Sequence, residues 1–272
     1  MTYKGDSLGD RMKTYESVSR HFLTRRTPVI IRLDGCHFHT FTRGFDKPFD
    51  DILCQAMQET MKNLCTSIQG CVLGYTQSDE ITLVLCDYKK LTSDAWFSNN
   101  IQKMASVSAS LAAMYFNRNF QRLTEEFGRI NLPDFDEGGT NNQLTADETA
   151  AFHLYNYYSK SLLKGAYFDS RAFNLPKEEV CNCLIWRQQD ATRNSIQGLG
   201  QKYFSHKQLE GKNCNNIQDM LMIEYSVNWN DVETKFKRGS CCIKGNDGWI
   251  IDNEIPIFTK DRDYIERRIN FD

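Results

Sequence analysis

The order of its apolar segments limits this chain more than any other feature. "VIIRL", Val29 to Leu33, reads as a buried strand. The stretch "KPFDDILCQAMQETMKNLCTSIQG" follows, where Leu53, Met57, Met61, Leu64 and Ile68 recur at helical spacing. Pro48 suits the first turn of that helix and Gly70 ends it. Two short strands come next, "CVLGYT" and "EITLVLC", joined by "QSDE"; Ile81, Leu83 and Leu85 alternate as in a strand with unequal faces. A second long helix is predicted from Trp96 to Tyr115, and "GAYFDSRAFNL" supplies a last strand. An opening helix is predicted over 10–25, with Met12, Tyr15, Val18 and Phe22 on one face.

This β–α–β–β–α–β order predicts an α+β fold, a ferredoxin-like sheet with both helices on one face. The sheet unit is expected over about 28–175, including a polar excursion over about 117–164 that contains "NLPDFDEGGTNNQLTADET". A helix over "KEEVCNCLIWRQQDATRNSIQ", with Pro176 just ahead, opens a helical C-terminal extension over about 176–272. The whole of 1–272 is read as one catalytic unit.

Composition excludes little. With 33 basic and 35 acidic residues the net charge is −2, so a nucleic-acid partner needs a locally basic face. Clusters exist near the start (Arg11, Lys13, Arg20, His21, Arg25, Arg26) and near the end (Lys235, Lys237, Arg238). The ten cysteines lack paired C-x2-C spacing, and Cys36, Cys54, Cys65, Cys71 and Cys86 sit singly in apolar segments as small hydrophobes. No leader-type or membrane-length apolar segment appears, which predicts a reduced, cytoplasmic protein without a membrane partner.

Chemistry concentrates at two strand ends. Asp34 ends the first strand and Asp79 sits in the hairpin turn; in this strand order the two acids meet above one sheet edge. Each alone suits a turn cap. Together they suit hard cations such as Mg²⁺, which take carboxylates with phosphates and water. Two such ions, roughly 3.5–4 Å apart, clamp the attacking and leaving oxygens of a phosphoryl displacement. Gly35, without a Cβ, lets its carbonyl and an incoming phosphate approach closely. Lys47 and Lys103 are the nearest basic residues with the reach for a triphosphate, or else plain surface lysines, and His39 suits contact with a phosphate or base.

These blocks resemble a known family. "RLDGCHFHTF", then "KP", "QSDEITLV", "WF" with Lys103, and "YFDSRAFNLP…CLIWRQQDA" are similar to the tRNA-histidine guanylyltransferase superfamily, over most of 28–116 and 165–195. The resemblance implies a palm of the polymerase and nucleotidyl cyclase type that extends RNA in the 3′-to-5′ direction. It implies two Mg²⁺ ions on Asp34, the Gly35 carbonyl and Asp79, with Glu80 and Ser78 in support. It also implies a nucleotide held among Cys36, His37, Phe38, His39, Lys47, Ser78 and Lys103. ATP or GTP would activate the RNA 5′ end, and the relatives' habit implies a homotetramer. Arg25, Arg26, Arg187, Arg193, Lys235 and Arg238 are candidates for tRNA contact. Where family members carry H-I-N-N-L-Y-N, this chain has "TRNSIQG", keeping only Asn194, and a basic residue of eukaryotic members is Asn100 here. That combination resembles the bacterial branch, which repairs 5′-truncated tRNA by templated nucleotide addition. Two rivals remain open at this point: a nucleotidyl cyclase, and a non-enzymatic RNA-binding domain of ferredoxin-like shape.

Overall fold

The computed structural model describes residues 7–133 and 145–271. Six antiparallel strands form one sheet in the order β4-β1-β3-β2-β5-β6. They are β1 (Val29–Gly35), β2 (Cys71–Gln77), β3 (Glu80–Leu85), β4 (Phe168–Asn174), β5 (Ser240–Gly245) and β6 (Gly248–Asp252). Four of them follow the expected strand–helix alternation. The other two, β5 and β6, lie in the region expected to be a helical extension, and they lengthen the sheet beyond β2. Sequence reasoning missed them because each is short and broken by glycine and charge, "SCCIKG" and "GWIID".

The helices are α1 (Leu8–Ser17), the single turn α2 (Phe38–Phe41), α3 (Asp51–Ser67), α4 (Ile101–Asn131), α5 (Ala146–Lys164), α6 (Lys177–Tyr203), α7 (His206–Leu209), α8 (Cys214–Tyr225), α9 (Thr234–Arg238) and α10 (Asp263–Ile269). They cover both faces of the sheet, not one. Val29, Ile31 and Leu33 face a core with Met57, Met61 and Leu64 of α3 and Met104, Ala112 and Phe116 of α4. Ile30 and Val84 face the other way, onto Val180 and Leu184 of α6 and Ile265 and Ile269 of α10. Consequently β3 is buried along its whole length, so its alternation did not mark a solvated face. A third cluster joins Ile196 and Leu199 of α6 to Ile217 and Leu221 of α8.

The expected polar excursion is largely helical. Helix α4 carries its buried stripe through Ala112, Phe116, Phe120 and Leu123, one turn apart each time, so exposed Gln121 and Arg122 are merely its outer side, while half-buried Asn119 bonds Asn63 of α3 at 3.0 Å. Helix α5 starts at a Thr145/Glu148 capping box and stops at Gly165, whose φ is 68°. Only 134–144, at the middle of that expectation, lie outside the described residues. The N-terminal helix is shorter than predicted and none of its residues is buried; Met12, Tyr15, Val18 and Phe22 are all exposed. Pro48 lies ahead of α3, whose N-cap is Asp50, accepting from the Leu53 N–H at 2.8 Å. All ten cysteines are free, and burial pushes the Cys86 thiol up to about 11, consistent with inert packing groups.

Candidate active site

Antiparallel pairing brings the predicted acids to one end of the sheet. Asp34 lies opposite Glu80 of β3 on one side and opposite Asp169 of β4 on the other. The Gly35 N–H donates to the Asp79 carbonyl at 3.1 Å, stitching the end of β1 to the hairpin turn. Asp79 is partly buried, and burial, then the negative charge of Asp34, raises its carboxyl above the ordinary value. The two carboxylates are therefore near enough to feel each other. Such a pair, with the Gly35 carbonyl beside it, is an all-oxygen donor set, which suits a hard divalent cation and relieves the repulsion between the acids. Ser78 completes the turn with φ 50°, and His37, after β1, has φ 56°. Non-glycine residues held in this region cluster at functional sites.

Gly35 is required for a reason the sequence did not disclose. A Cβ there would lie 2.3 Å from the Phe38 ring. Phe38 is buried in an aromatic cluster, 5.3 Å from Phe168 and 5.4 Å from Phe116 between ring centroids. Its side chain is thus core, which leaves only its backbone for the nucleotide contact the sequence led us to expect. His37 and His39 are exposed with ring centroids 6.2 Å apart, Cys36 is half-buried with its N–H on the Tyr167 carbonyl, and Lys47 is exposed.

Glu80 differs from its neighbour Asp79. It is buried, and the Arg187 Nε donates to its carboxylate at 2.7 Å, while a second Arg187 nitrogen reaches Asp190 at 2.8 Å. Burial raises the Glu80 carboxyl above its ordinary value, against the lowering pull of Arg187. Arg187, a tRNA-contact candidate by sequence, is thus buried and paired inside the protein, where its charge is needed because Glu80 is desolvated. Lys235 is similarly occupied, with Asp51 at 2.7 Å and Glu233 at 3.3 Å. Arg193 is exposed and paired with Asp190, and Arg238 is half-buried, its carbonyl accepting from the Tyr75 hydroxyl at 2.7 Å.

Other predicted residues lie at the far end of the sheet. The Arg26 N–H donates to Asp87, just past β3, and Arg25 pairs with Asp94 at 3.6 Å. Lys103, exposed on the first turn of α4, follows residues 99–101, whose backbone bonds His21 and Leu23; Thr24 in turn bonds Asn174, opposite Val29 at the start of β1. Asp169, which shares the sheet face with Asp34, escaped sequence reasoning because only the β1–β4 register reveals it.

Beside the hairpin lies a cleft of about 160 Å³. Its lining includes Ser78, Asp50 ahead of α3, Asn194 and Ser195 of α6, and Lys235. The hairpin thus adjoins a recess of mixed lining, with Phe49, Met57 and Phe236 among its apolar residues, in which the retained Asn194 takes part.

The family model for tRNAHis guanylyltransferase (Thg1) matches residues 9–176. The chain belongs to this family. Its members are nucleotidyltransferases, and this chain is one. Among curated tRNAHis guanylyltransferases, that of Saccharomyces cerevisiae is 26% identical over 227 residues, covering 78% of this chain and 80% of its own. A bacterial tRNAHis guanylyltransferase (Thg1)-like protein solved in complex with ATP is 43% identical, with a TM-score of 0.81, covering 98% of this chain and 100% of that one. A bacterial Thg1-like protein in complex with GTP is 40% identical, with a TM-score of 0.74, covering 97% and 99%. The chain shares a mixed α/β fold with these bacterial structures. Among the described residues no helix is long and apolar enough to cross a membrane.

Proposed function

We propose that this guanylyltransferase-family chain repairs 5′-truncated tRNA by templated 3′-to-5′ nucleotide addition, on a palm of the polymerase type. The observation that carries the reading is the Asp34–Asp79 pair, stitched by Gly35, at the end of a sheet whose bacterial likenesses were solved with ATP and with GTP. Asp34, the Gly35 carbonyl and Asp79 would hold Mg²⁺. Two such ions, when bound, supply charge neutralisation at the transferring phosphorus and acidify an attacking 3′-hydroxyl. The chain's own part is positioning. The Thr40 and Phe41 N–H groups of α2 are taken by the His37 carbonyl, which leaves those of Phe38 and His39 for phosphate oxygens. Lys47, which is exposed, is a further phosphate contact in this reading. The Arg187–Glu80 pair braces the hairpin from inside the protein, so that Asp79 keeps its place. ATP or GTP is the activating nucleotide, and the opposing base of the acceptor strand chooses the incoming one. The departures at Thr192–Gly198 and Asn100 from the guanosine-adding pattern favour templating over fixed guanosine addition.

The test supplies a tRNA lacking one 5′ nucleotide, Mg²⁺ and each NTP singly, with the opposing base varied. Incorporation that follows the opposing base is the expected result. Guanosine added regardless of that base would reject templating, and a cyclic nucleotide formed without RNA would reject the polymerase reading.

A further inference from the structure

A larger opening lies at the other end of the sheet, roughly 20 Å from the hairpin turn, the length of six strand residues. It measures about 500 Å³ and is lined by Gln69 to Val72 before and within β2, by the segment after β3, by Lys244 of β5, and by Arg268 and Phe271. That volume lies in the range of about 300–1,000 Å³ that small-molecule sites occupy.

Its charge is one-sided. Lys89, Lys244 and Arg268 line it, and among the described residues none of the three is within salt-bridge distance of a carboxylate. The carboxylate in the lining, Asp94, is already engaged by Arg25 at 3.6 Å. Arg268 is half-buried and donates to the Tyr264 carbonyl of its own helix, and burial holds its guanidinium below the ordinary range. A desolvated cation without a counter-charge is costly unless an anion completes it. Beside these cations stands an aromatic ring: the Lys89 ammonium lies 5.5 Å from the Phe271 ring centroid. Ser93 and Gln69 add a hydroxyl and an amide to the same wall.

We propose that this cleft binds a nucleotide unit, its phosphate on Lys89, Lys244 and Arg268 and its base against Phe271. Three cations exclude a metal ion as ligand and call for a multiply charged anion. A ring at their side gives a planar base something to stack on, a pairing common to single-strand binders. Two sources carry this chemistry, a nucleotide within the bound RNA and a free nucleotide. The RNA source rests on the reading of the chain as a tRNA-extending enzyme, and it is the expected one because exposed Lys90, next to Lys89, adds to the positive charge there.

The test uses the full chain and a Lys89→Ala/Lys244→Ala double variant, both positions being exposed, with Phe271→Ala as a second variant and thermal melting as the folding check. One arm measures tRNA binding without Mg²⁺ across a salt series. The expected result is weaker binding by the double variant and a log–log salt slope reduced by roughly 2, one per lost phosphate contact. The other arm measures ATP stoichiometry by equilibrium dialysis, where loss of one bound equivalent assigns the cleft to free nucleotide instead. Unchanged RNA affinity together with unchanged stoichiometry overturns the proposal. Neither arm reads nucleotide addition, so a failed cleft leaves the polymerase reading intact, and failed templated addition leaves the cleft intact.

Discussion

The two ends of the central sheet are electrostatic opposites. At one end Asp34, Asp79, Glu80 and Asp169 gather where β1, β3 and β4 meet, with His37 and Ser78 in left-handed backbone beside them. At the other, Lys89, Lys244 and Arg268 face an open cleft. A chain of net charge −2 is therefore neutral only in sum. Antiparallel connections allow this separation, because residues close in sequence on either side of a strand end up at opposite poles. The acidic pole invites divalent cations and the basic pole invites phosphates, which is how a weakly acidic protein can engage a polyanion.

The sharpest way to break the comparison is at Asp79. Asp79→Asn is expected to lower nucleotide addition by roughly 10³-fold or more, since an ion-binding carboxylate supplies several kcal/mol of transition-state stabilisation. The same variant should melt higher than the parent at neutral pH without Mg²⁺. The sign follows from the raised carboxyl: folding disfavours its ionised form, so its contribution to stability is fully present below the unfolded value and lost as pH rises through the folded one. The melting advantage should accordingly shrink as the pH falls into the carboxylate range. A variant that melts lower, or adds nucleotides normally, would remove Asp79 from the acidic pole's function.

Arg187→Ala comes next. Removing one partner from this buried pair leaves Glu80 stranded, and chemical denaturation should register a loss of about 3–5 kcal/mol. Arg187→Met combined with Glu80→Gln should recover most of it, whereas Arg193→Ala at the exposed end of the network should cost within about 0.5 kcal/mol. A smaller effect than that of Arg187→Ala is expected at Gly35→Ala. Pressing a methyl group against the Phe38 ring should cost about 1–3 kcal/mol by overpacking, with activity falling further than stability accounts for, because the stitch to Asp79 moves as well.

Much of the acidic pole was legible in the sequence. An apolar run ending in Asp-Gly and a hairpin whose turn holds Ser-Asp predict neighbouring strands, and pairing delivers Asp34 to Glu80. What was not legible depended on register and on distant chain. Asp169 acquires its place only through the β4 alignment, and Arg187, which looked like a surface cation, is claimed by Glu80 from 107 residues away. Helix α4 was cut short because Asn117 and Asn119 resemble loop residues. In the fold they make bonds, Asn117 to Ala113 and Ala166 and Asn119 to Asn63, while Phe120 keeps the buried stripe. The basic pole was invisible because its three cations are brought together only by tertiary contact.

Arg187 also belongs to the part of the chain that follows residue 176, where the family match ends. A fragment cut at that boundary would retain Asp34 and Asp79 and yet expose the apolar rear of the sheet, with the Glu80 charge deprived of its clamp. The acidic edge and the C-terminal third are for that reason one inheritable piece: recombination between relatives that separated them would deliver the acid pair on a support that does not hold.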